Sequence, residues 1–141
     1  MEITFDPRKS ERNLRERNLG FEQAAEFDFA SASYFNELRN GEHRLVAVGY
    51  LKKRLHILCF LPTAGGIRVI SFRKANDRMR ANMANRKPLT DDDGEVRELT
   101  EEDLAQFVPF SALPAELQAL LSEEKHVKPD AEAPSKRQPA A

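Results

Sequence analysis

Apolar and polar residues alternate along several stretches between residues 2 and 74, a pattern that predicts β-strands. The first stretch is short, with Ile3 and Phe5 as its apolar positions. The longer candidates read ASASYFNEL, HRLVAVGYL, RLHILCFL and GIRVISFRK. RLHILCFL is the most apolar of them, so we expect it to be a central strand. We expect GIRVISFRK to form a hairpin with it, because Gly65 and Gly66 interrupt the pattern between the two.

Helix signals flank these strand candidates. Asp6 followed by Pro7 supplies an N-cap and a first helical residue, so we predict a helix through RKSERNLRERN that ends near Gly20. FEQAAEF is predicted as a second short helix, and KANDRMRANMAN predicts another over residues 74–85. The pattern therefore predicts an α+β fold with two N-terminal helices, a three- to four-stranded antiparallel sheet and a following helix.

The sequence changes character after residue 86. PLTDDDGEVREL reads as a loop or a loose hairpin, and Thr100 with Asp103 forms a capping box that opens a short helix. A later predicted helix carries a leucine stripe formed by Leu113, Leu117, Leu120 and Leu121. A helix this short is marginal in water, so the stripe needs a neighbouring apolar surface.

Charge divides the chain at nearly the same place. Residues 1–90 hold 17 Lys and Arg against 10 Asp and Glu, a net charge of +7. Residues 91–141 hold 5 against 13, a net charge of −8. A basic half indicates a polyanionic partner, most commonly nucleic acid, and an acidic half in the same chain can cover that surface. The alternative is two unrelated solvated faces.

These patterns predict three regions. We expect a basic domain over residues 1–85, a helical acidic extension over residues 86–126 and a disordered tail over residues 127–141. The last region is rich in Pro, Ala and charged residues, which lowers its capacity to bury apolar surface.

Composition disfavours several classes of protein. No run of about 18 apolar residues is present, so no membrane span is expected. The N-terminus lacks the apolar region of a signal peptide, so we expect a cytoplasmic protein. Cys59 has no second cysteine with which to pair, and its apolar strand predicts a buried thiol. The Asp, Glu and His residues show no metal-ligand spacing, so we expect no metal and no cofactor.

Several motifs of the basic half together resemble the BrnT toxin family. They are Asp6-Pro7, Asn13-Leu14-Arg15, Phe21-Glu22-Gln23-Ala24, Glu42-His43-Arg44, Val48-Gly49 and the segment IRVISFRKAN that begins at Ile67. RVISFRKAN is the most distinctive of these, and the resemblance covers roughly residues 1–78. It implies a bacterial ribonuclease toxin with a RelE-like fold.

The acidic half resembles a second family. PLTDDDGEVRELTEEDLAQFVPFSALPAELQALL, about residues 86–124, is similar to the N-terminal part of BrnA, the antitoxin partner of BrnT. BrnA proteins usually continue into a ribbon-helix-helix DNA-binding region, and this chain ends at SKRQPAA where that region would begin. The resemblance therefore implies a toxin fused to part of its antitoxin, with no direct DNA binding.

The chain departs from the toxin family at two places. The family often carries Lys-His-Gly where Glu16, Arg17 and Asn18 stand here, so a histidine of the family pattern is absent. The family's last helix usually holds Glu and Tyr after the RKAN segment, whereas this chain reads DRMRANMANRK. Both departures bear on whether the chain still cleaves RNA.

Metal-independent RNA cleavage uses the 2′-hydroxyl as nucleophile and requires stabilisation of a dianionic phosphorane. The resemblance implies that Arg and Lys side chains do this, with a Tyr or His. The catalytic candidates are Arg68, Arg73, Arg44 and His43, and the RNA-binding candidates are Lys74, Arg12, Arg15 and Arg17. Arg68 and Arg73 are five positions apart, so strict alternation puts them on opposite faces unless a strand end or bulge near Phe72 intervenes.

We expect the acidic half to inhibit the basic half. The inhibitory candidates are Asp91, Asp92, Asp93 and Glu95 as phosphate mimics, Phe107 and Phe110 as anchors, and Leu117 and Leu120 within the docking stripe. Because both halves belong to one chain, the effective concentration of the inhibitor is high.

Three functions stay open at this point. The chain is a ribonuclease toxin silenced by its own extension, a non-catalytic decoy that binds a toxin or antitoxin, or an inactive remnant. The expected partners are RNA, an antitoxin or toxin chain, or a second copy of this chain in a domain-exchanged dimer.

Overall fold

A computed structural model describes residues 1–75, 89–90 and 95–130 of the chain. In chain order the elements are β1 (Glu2–Thr4), α1 (Pro7–Arg17), a 3₁₀ helix (Phe21–Glu26), β2 (Ser33–Arg39), β3 (Glu42–Leu51), β4 (Arg54–Pro62), β5 (Gly66–Lys74), α2 (Glu101–Leu104), β6 (Val108–Pro109), a second 3₁₀ helix (Phe110–Ala112), α3 (Ala115–Ser122) and β7 (His126–Val127). Within these described ranges, no helix has the length and apolar character needed to cross a membrane.

One mixed sheet organises the fold, in the strand order β6-β2-β3-β4-β5-β1-β7. Strands β2 to β5 are antiparallel neighbours, and β4 is the middle strand of the seven. Strand β1 pairs parallel with both β5 and β7, while β6 extends the opposite edge beside β2. The α+β class is confirmed, but three to four antiparallel strands was too few. The short stretch around Ile3 forms β1, as predicted, whereas β6 and β7 are two residues long, too short for their alternation to be read.

The N-terminal helices differ from the prediction in two respects. Asp6 caps α1 through a hydrogen bond from the Arg8 amide to its side chain, as the sequence predicted. The helix ends at Asn18, which takes a left-handed conformation, rather than at Gly20. The second predicted helix, Phe21–Glu26, is 3₁₀ rather than α. The helix predicted over residues 74–85 lies almost wholly outside the described residues.

The sheet buries apolar side chains on both faces. On one face, here called the helical face, the cluster joins the sheet to the first 3₁₀ helix and α3; it includes Ile3, Phe21, Leu58, Phe60, Phe72 and Leu121. On the opposite face, here called the covered face, the cluster consists of Val46, Val48, Ile57, Cys59, Ala75, Leu89, Val96 and Leu99. Leu89, Val96 and Leu99 come from the acidic half, so that half completes the core.

Residues 89–130, here called the wrapping segment where described, pass from one face to the other around the sheet edge. Phe107 packs on the covered face and Phe110 on the helical face, and β6 between them pairs with β2. The capping box at Thr100 and Asp103 is formed, which confirms that prediction. The leucine stripe also packs as expected, because Leu121 is buried in the helical-face cluster.

The wrapping segment then forms the far edge of the sheet. His126 and Val127 pair with β1, and the Asp130 amide donates to the Phe5 carbonyl at 2.9 Å. The disorder expected from residue 127 is therefore wrong through Asp130. Backbone hydrogen bonds hold these residues despite a composition poor in apolar side chains. Residues 131–141 lie outside the described part of the chain.

Gly66 permits β1 to approach β5, and this contact generates a stability prediction. A Cβ built on Gly66 would lie 1.8 Å from the Glu2 carbonyl oxygen, whereas one on Gly65 meets nothing within 4 Å. We expect Gly66→Ala to lower the free energy of unfolding by about 2 kcal/mol or more, because backbone atoms cannot move aside as a side chain can. Gly65→Ala should stay within about 0.5 kcal/mol of the parent. Urea unfolding measures both, and equal effects would contradict this account of the β1–β5 contact.

Candidate functional site

A bulge in β5 determines which side chains share the covered face. Cys59 pairs with Ser71 while Phe60 pairs with Val69, so Ile70 has no counterpart on β4. One extra residue in a strand reverses the alternation beyond it. Arg68 and Arg73 therefore lie on the same face by register, although five positions separate them. The bulge that could unite the two arginines is present, at Ile70 rather than near Phe72.

Arg73 donates hydrogen bonds to backbone carbonyls of the wrapping segment. Its Nε and Nη2 donate to the Val96 carbonyl at 3.2 and 3.0 Å, and Nη2 also donates to the Arg97 carbonyl at 3.1 Å. Burial lowers the pKa of Arg73, and the neighbouring charge of Arg17 lowers it further. Glu95 and Glu98 act in the opposite direction. A half-buried guanidinium group beside a second guanidinium group favours the binding of an anion.

Arg17 reaches the same region from α1. Its Nη1 donates to Asn13 Oδ1 at 3.1 Å, and its Nη2 donates to Glu95 Oε1 at 2.9 Å. Asn13 is buried, and its amide nitrogen donates to the carbonyls of Leu19 and Phe72, both at 2.8 Å. Asn13 thereby ties the C-terminal half of α1 to the end of β5 and orients Arg17 beside Arg73.

A cleft of about 300 Å³ opens along α1 next to this pair. Its lining residues are Lys9, Arg12, Asn13, Glu16, Arg17, Phe21 and Glu95. Two of the RNA-binding candidates, Arg12 and Arg17, therefore share one cleft. Arg15, the third candidate on α1, is exposed and does not line the cleft. Helical spacing could place these arginines near one another, but it could not show that Glu95 contributes a wall.

Arg44 belongs to a second polar cluster on the covered face, centred on Thr90. Glu37 accepts hydrogen bonds from the Leu89 amide at 2.6 Å, the Thr90 amide at 3.0 Å and the Thr90 hydroxyl at 2.7 Å. Arg44 contacts the same hydroxyl at 3.4 Å, and Arg39 donates to the Thr90 carbonyl. This cluster anchors the start of the described wrapping segment.

The sequence reading did not single out Asn13, Glu37 or Arg39. Glu37 is two positions from Phe35 in its strand candidate, so the alternation places its carboxylate on the same face as this apolar side chain. A buried carboxylate needs hydrogen-bond donors from elsewhere in the chain, and this requirement is the sequence feature that points to Glu37. Asn13 carried no comparable signal, since one Asn in a charged helix is unremarkable.

Arg68 lies at the opposite end of β5 from Arg73. It forms a two-point ion pair with Asp130, with N–O distances of 2.8 and 2.7 Å. The hydrogen bond to Asp130 raises the pKa of Arg68. Five strand positions correspond to about 15 Å, so Arg68 does not join the Arg17–Arg73 pair. Asp130 was not among the expected inhibitory residues, because the region had been assigned to the tail.

His43 does not join the arginines. It lines a cavity of about 270 Å³ with Tyr34, Asn36, Leu45, Pro62, Val108, Ala112, Leu113, Pro114 and Leu117, mostly on the helical face. Its neighbour Arg44 points to the covered face. Lys74 is exposed at the end of β5. His56 is buried beside Phe72, and burial lowers its pKa.

The expected inhibitory residues have mixed placements. The Phe107 ring stacks on Phe35 at 5.6 Å, and the Phe110 ring lies 6.3 Å from Tyr34 on the other face. Leu117 and Leu120 are partly buried against the helical-face cluster. The triple acid, Asp91, Asp92 and Asp93, lies outside the described residues. Glu95 is the described carboxylate of that region that meets a basic candidate.

Comparison with known proteins gives one match. A family model described as "Ribonuclease toxin, BrnT, of type II toxin-antitoxin system" matches residues 5–78, just over half of the chain. No curated protein and no solved structure matches the chain. Within the described ranges, no group of three or more His, Cys, Asp or Glu side chains is placed to hold a metal ion.

The Glu37 cluster generates a prediction about how firmly the wrapping segment is held. In Glu37→Gln the neutral amide retains one acceptor oxygen for three donors, so the free energy of unfolding should fall by about 1–3 kcal/mol. Hydrogen exchange at the Leu89 and Thr90 amides should accelerate about tenfold. Glu42→Gln is the matched control, since that carboxylate is exposed and meets Arg44 at 3.4 Å. Unchanged exchange in Glu37→Gln would show that this carboxylate does not hold the segment.

Proposed function

Because the chain belongs to the BrnT family of ribonuclease toxins of type II toxin-antitoxin systems, we propose that it is a metal-independent endoribonuclease silenced by its own acidic segment. The family implies an RNA target and an antitoxin partner. In this proposal residues 1–85 act as the toxin domain and residues 86–126, extended through Asp130, act as a tethered antitoxin.

The paired guanidinium groups support the RNA-cleaving part of the proposal. Attack by the 2′-hydroxyl builds a dianionic phosphorane, and preorganised cations lower its energy. Arg17 and Arg73 converge from α1 and β5, and each presents a planar fork that matches phosphate oxygens. Arg12 extends the same cleft, so we assign it to the adjoining RNA backbone.

The remaining basic candidates take supporting roles in the proposal. Arg68 and Arg44 lie on the covered face away from the pair, where they would hold phosphates further along the strand. Lys74 and Arg15 are exposed and would add a general attraction for RNA. His43 is assigned no chemical step, because it faces the opposite side of the sheet.

The observation that carries self-inhibition is the occupancy of the guanidinium donors. Glu95 accepts from Arg17, and the carbonyls of Val96 and Arg97 accept from Arg73. At the other end of the face, Asp130 accepts both donors that Arg68 presents. Each contact uses an oxygen acceptor where an RNA phosphate would otherwise bind. Tethering keeps these acceptors at high effective concentration.

A second candidate function is a non-catalytic decoy or remnant that binds a partner toxin or antitoxin. Position 17 favours it, because an arginine stands where the resembled family often carries a histidine. A guanidinium remains protonated near neutral pH, so it stabilises charge but does not remove the proton from a hydroxyl. His56 is too buried to replace that histidine.

RNA cleavage in EDTA by the full chain distinguishes the two functions. Glu95→Gln with Phe107→Ala removes the carboxylate from Arg17 and the ring from Phe35 while leaving residues 1–75 intact. Because Phe107 packs against the cluster that contains Val96, its loss should also loosen the carbonyls that occupy Arg73. We therefore expect this double variant to cleave RNA and the parent chain to remain inactive. Adding Arg73→Ala should reduce cleavage by about 100-fold or more, the usual effect of losing one transition-state donor.

The matched control is Glu116→Gln with Phe110→Ala, which makes the same chemical changes on the helical-face part of the segment. It should stay inactive, because Arg17 and Arg73 remain occupied. A folded Glu95→Gln, Phe107→Ala chain that cleaves no RNA would favour the decoy. Cleavage that survives Arg73→Ala would refute the assignment of the site.

A domain-exchanged dimer would make the same contacts between two copies. Its signature is a doubled mass in sedimentation with unchanged covered-face contacts, and the inhibition experiment applies to it without alteration.

A further inference from the structure

The cleft along α1 remains accessible while the wrapping segment is in place. Two of its lining residues, Arg12 and Glu16, are exposed, and its volume of about 300 Å³ lies at the lower end of the range for ligand pockets. Three cations, Lys9, Arg12 and Arg17, face two carboxylates, Glu16 and Glu95. Counted over the described residues, the lining is therefore net positive with Glu95 in place.

Glu95 is the lining residue of this cleft that a bound anion can replace on Arg17. Arg17 donates a hydrogen bond to Asn13 Oδ1, and that contact does not depend on the wrapping segment. The ion pair between Arg17 and Glu95 has side chains about one third exposed, 34% and 32% respectively. Ion pairs at this exposure are weak because solvent screens them. A stronger anion can therefore take the place of Glu95 without disturbing the support beneath Arg17.

We propose that the cleft binds a phosphate monoester, which displaces Glu95 from Arg17. A phosphate monoester carries between one and two negative charges near neutral pH and three acceptor oxygens, against one charge on Glu95. Arg17, Arg12 and Lys9, all on α1, supply the cationic donors of the cleft. The size of the cleft suits a phosphate with one attached nucleoside better than an extended polyanion. Glu16 opposes the ligand, but with Glu95 displaced the cations outnumber carboxylates three to one.

Displacement of Glu95 has a consequence for the segment. Val96 and Arg97, the next two residues, provide the carbonyls that occupy Arg73. Movement of Glu95 loosens these carbonyls and raises the population of chains with Arg73 free. This regulatory consequence rests on the proposed function, whereas phosphate binding itself does not.

Isothermal titration of the full chain tests the binding. The probes are inorganic phosphate and adenosine 3′-monophosphate, with adenosine as the probe that lacks phosphate. We expect both phosphate probes to bind and adenosine not to bind. Glu95→Gln should tighten binding by about fivefold or more, because it removes the internal competitor. Arg17→Ala should weaken binding by about tenfold.

Arg8→Ala is the matched control, since it removes the same charge from an exposed position of the same helix outside the cleft. Its affinity for phosphate should stay within about twofold of the parent, an effect of screened long-range charge only. Arg12→Ala provides a second cleft variant and should weaken binding even if Arg17→Ala proves unstable. Equal losses in Arg8→Ala and Arg12→Ala would overturn the proposal, as would absence of binding by either phosphate probe.

Hydrogen exchange tests whether the wrapping segment is displaced, separately from whether phosphate binds. In the parent chain, adenosine 3′-monophosphate should accelerate exchange at amides of residues 95–97 and leave Thr90 unchanged. Slower exchange at residues 95–97 would overturn displacement. Phosphate binding by the full chain, combined with no RNA cleavage by a folded Glu95→Gln, Phe107→Ala chain, would support the site while refuting the proposed ribonuclease, so the two failures are distinguishable.

Discussion

The structure depends on covering the second apolar face of the sheet. Val46, Val48, Ile57 and Cys59 face away from the helices of the basic half, and among the described residues the wrapping segment completes their apolar cluster. Leu89, Val96 and Leu99 bury this surface, and Phe107 adds its ring at the edge. Burial of apolar area is the dominant favourable term in folding, so this coverage stabilises the chain as a whole. The same residues place Glu95 and the Val96 carbonyl on the basic side chains.

Under the proposed function, stability and inhibition are consequently coupled in this chain. Val96 contributes an apolar side chain to the core and a carbonyl acceptor to Arg73. A change that frees the arginines also exposes apolar surface, so release carries a cost in folding free energy. In the described part of the segment, the acceptors on Arg73 are the backbone carbonyls of Val96 and Arg97. The apolar side chains of the segment fix its backbone, and the position of that backbone places the carbonyl acceptors beside Arg73.

The bulge at Ile70 and the amide of Asn13 position the other side of the site. The bulge turns Arg73 to the covered face, and Asn13 binds the Phe72 carbonyl at the β5 edge. Arg17 then reaches across to within hydrogen-bond distance of Glu95. Two local features, one in a strand and one in a helix, thus bring together cations that are distant in sequence.

Much of the fold could be predicted from the sequence, because regular elements have readable periods. The alternation of β2 to β5, the Asp6 cap and the Thr100 capping box all have local causes, and each is present. The edge strands β6 and β7 could not be predicted, since two residues define no period. The site was only partly predictable: Arg17 and Arg73 were named, but their pairing depends on a bulge and on tertiary contacts of Asn13.

Separating the two halves tests the central claim most directly. Residues 1–88 would be prepared alone, checked for folding by circular dichroism, and assayed for RNA cleavage in EDTA before and after adding residues 89–130 as a separate peptide. Our account predicts cleavage by residues 1–88 and its suppression by one equivalent of the peptide. A folded 1–88 chain that binds the peptide but cleaves no RNA would contradict it.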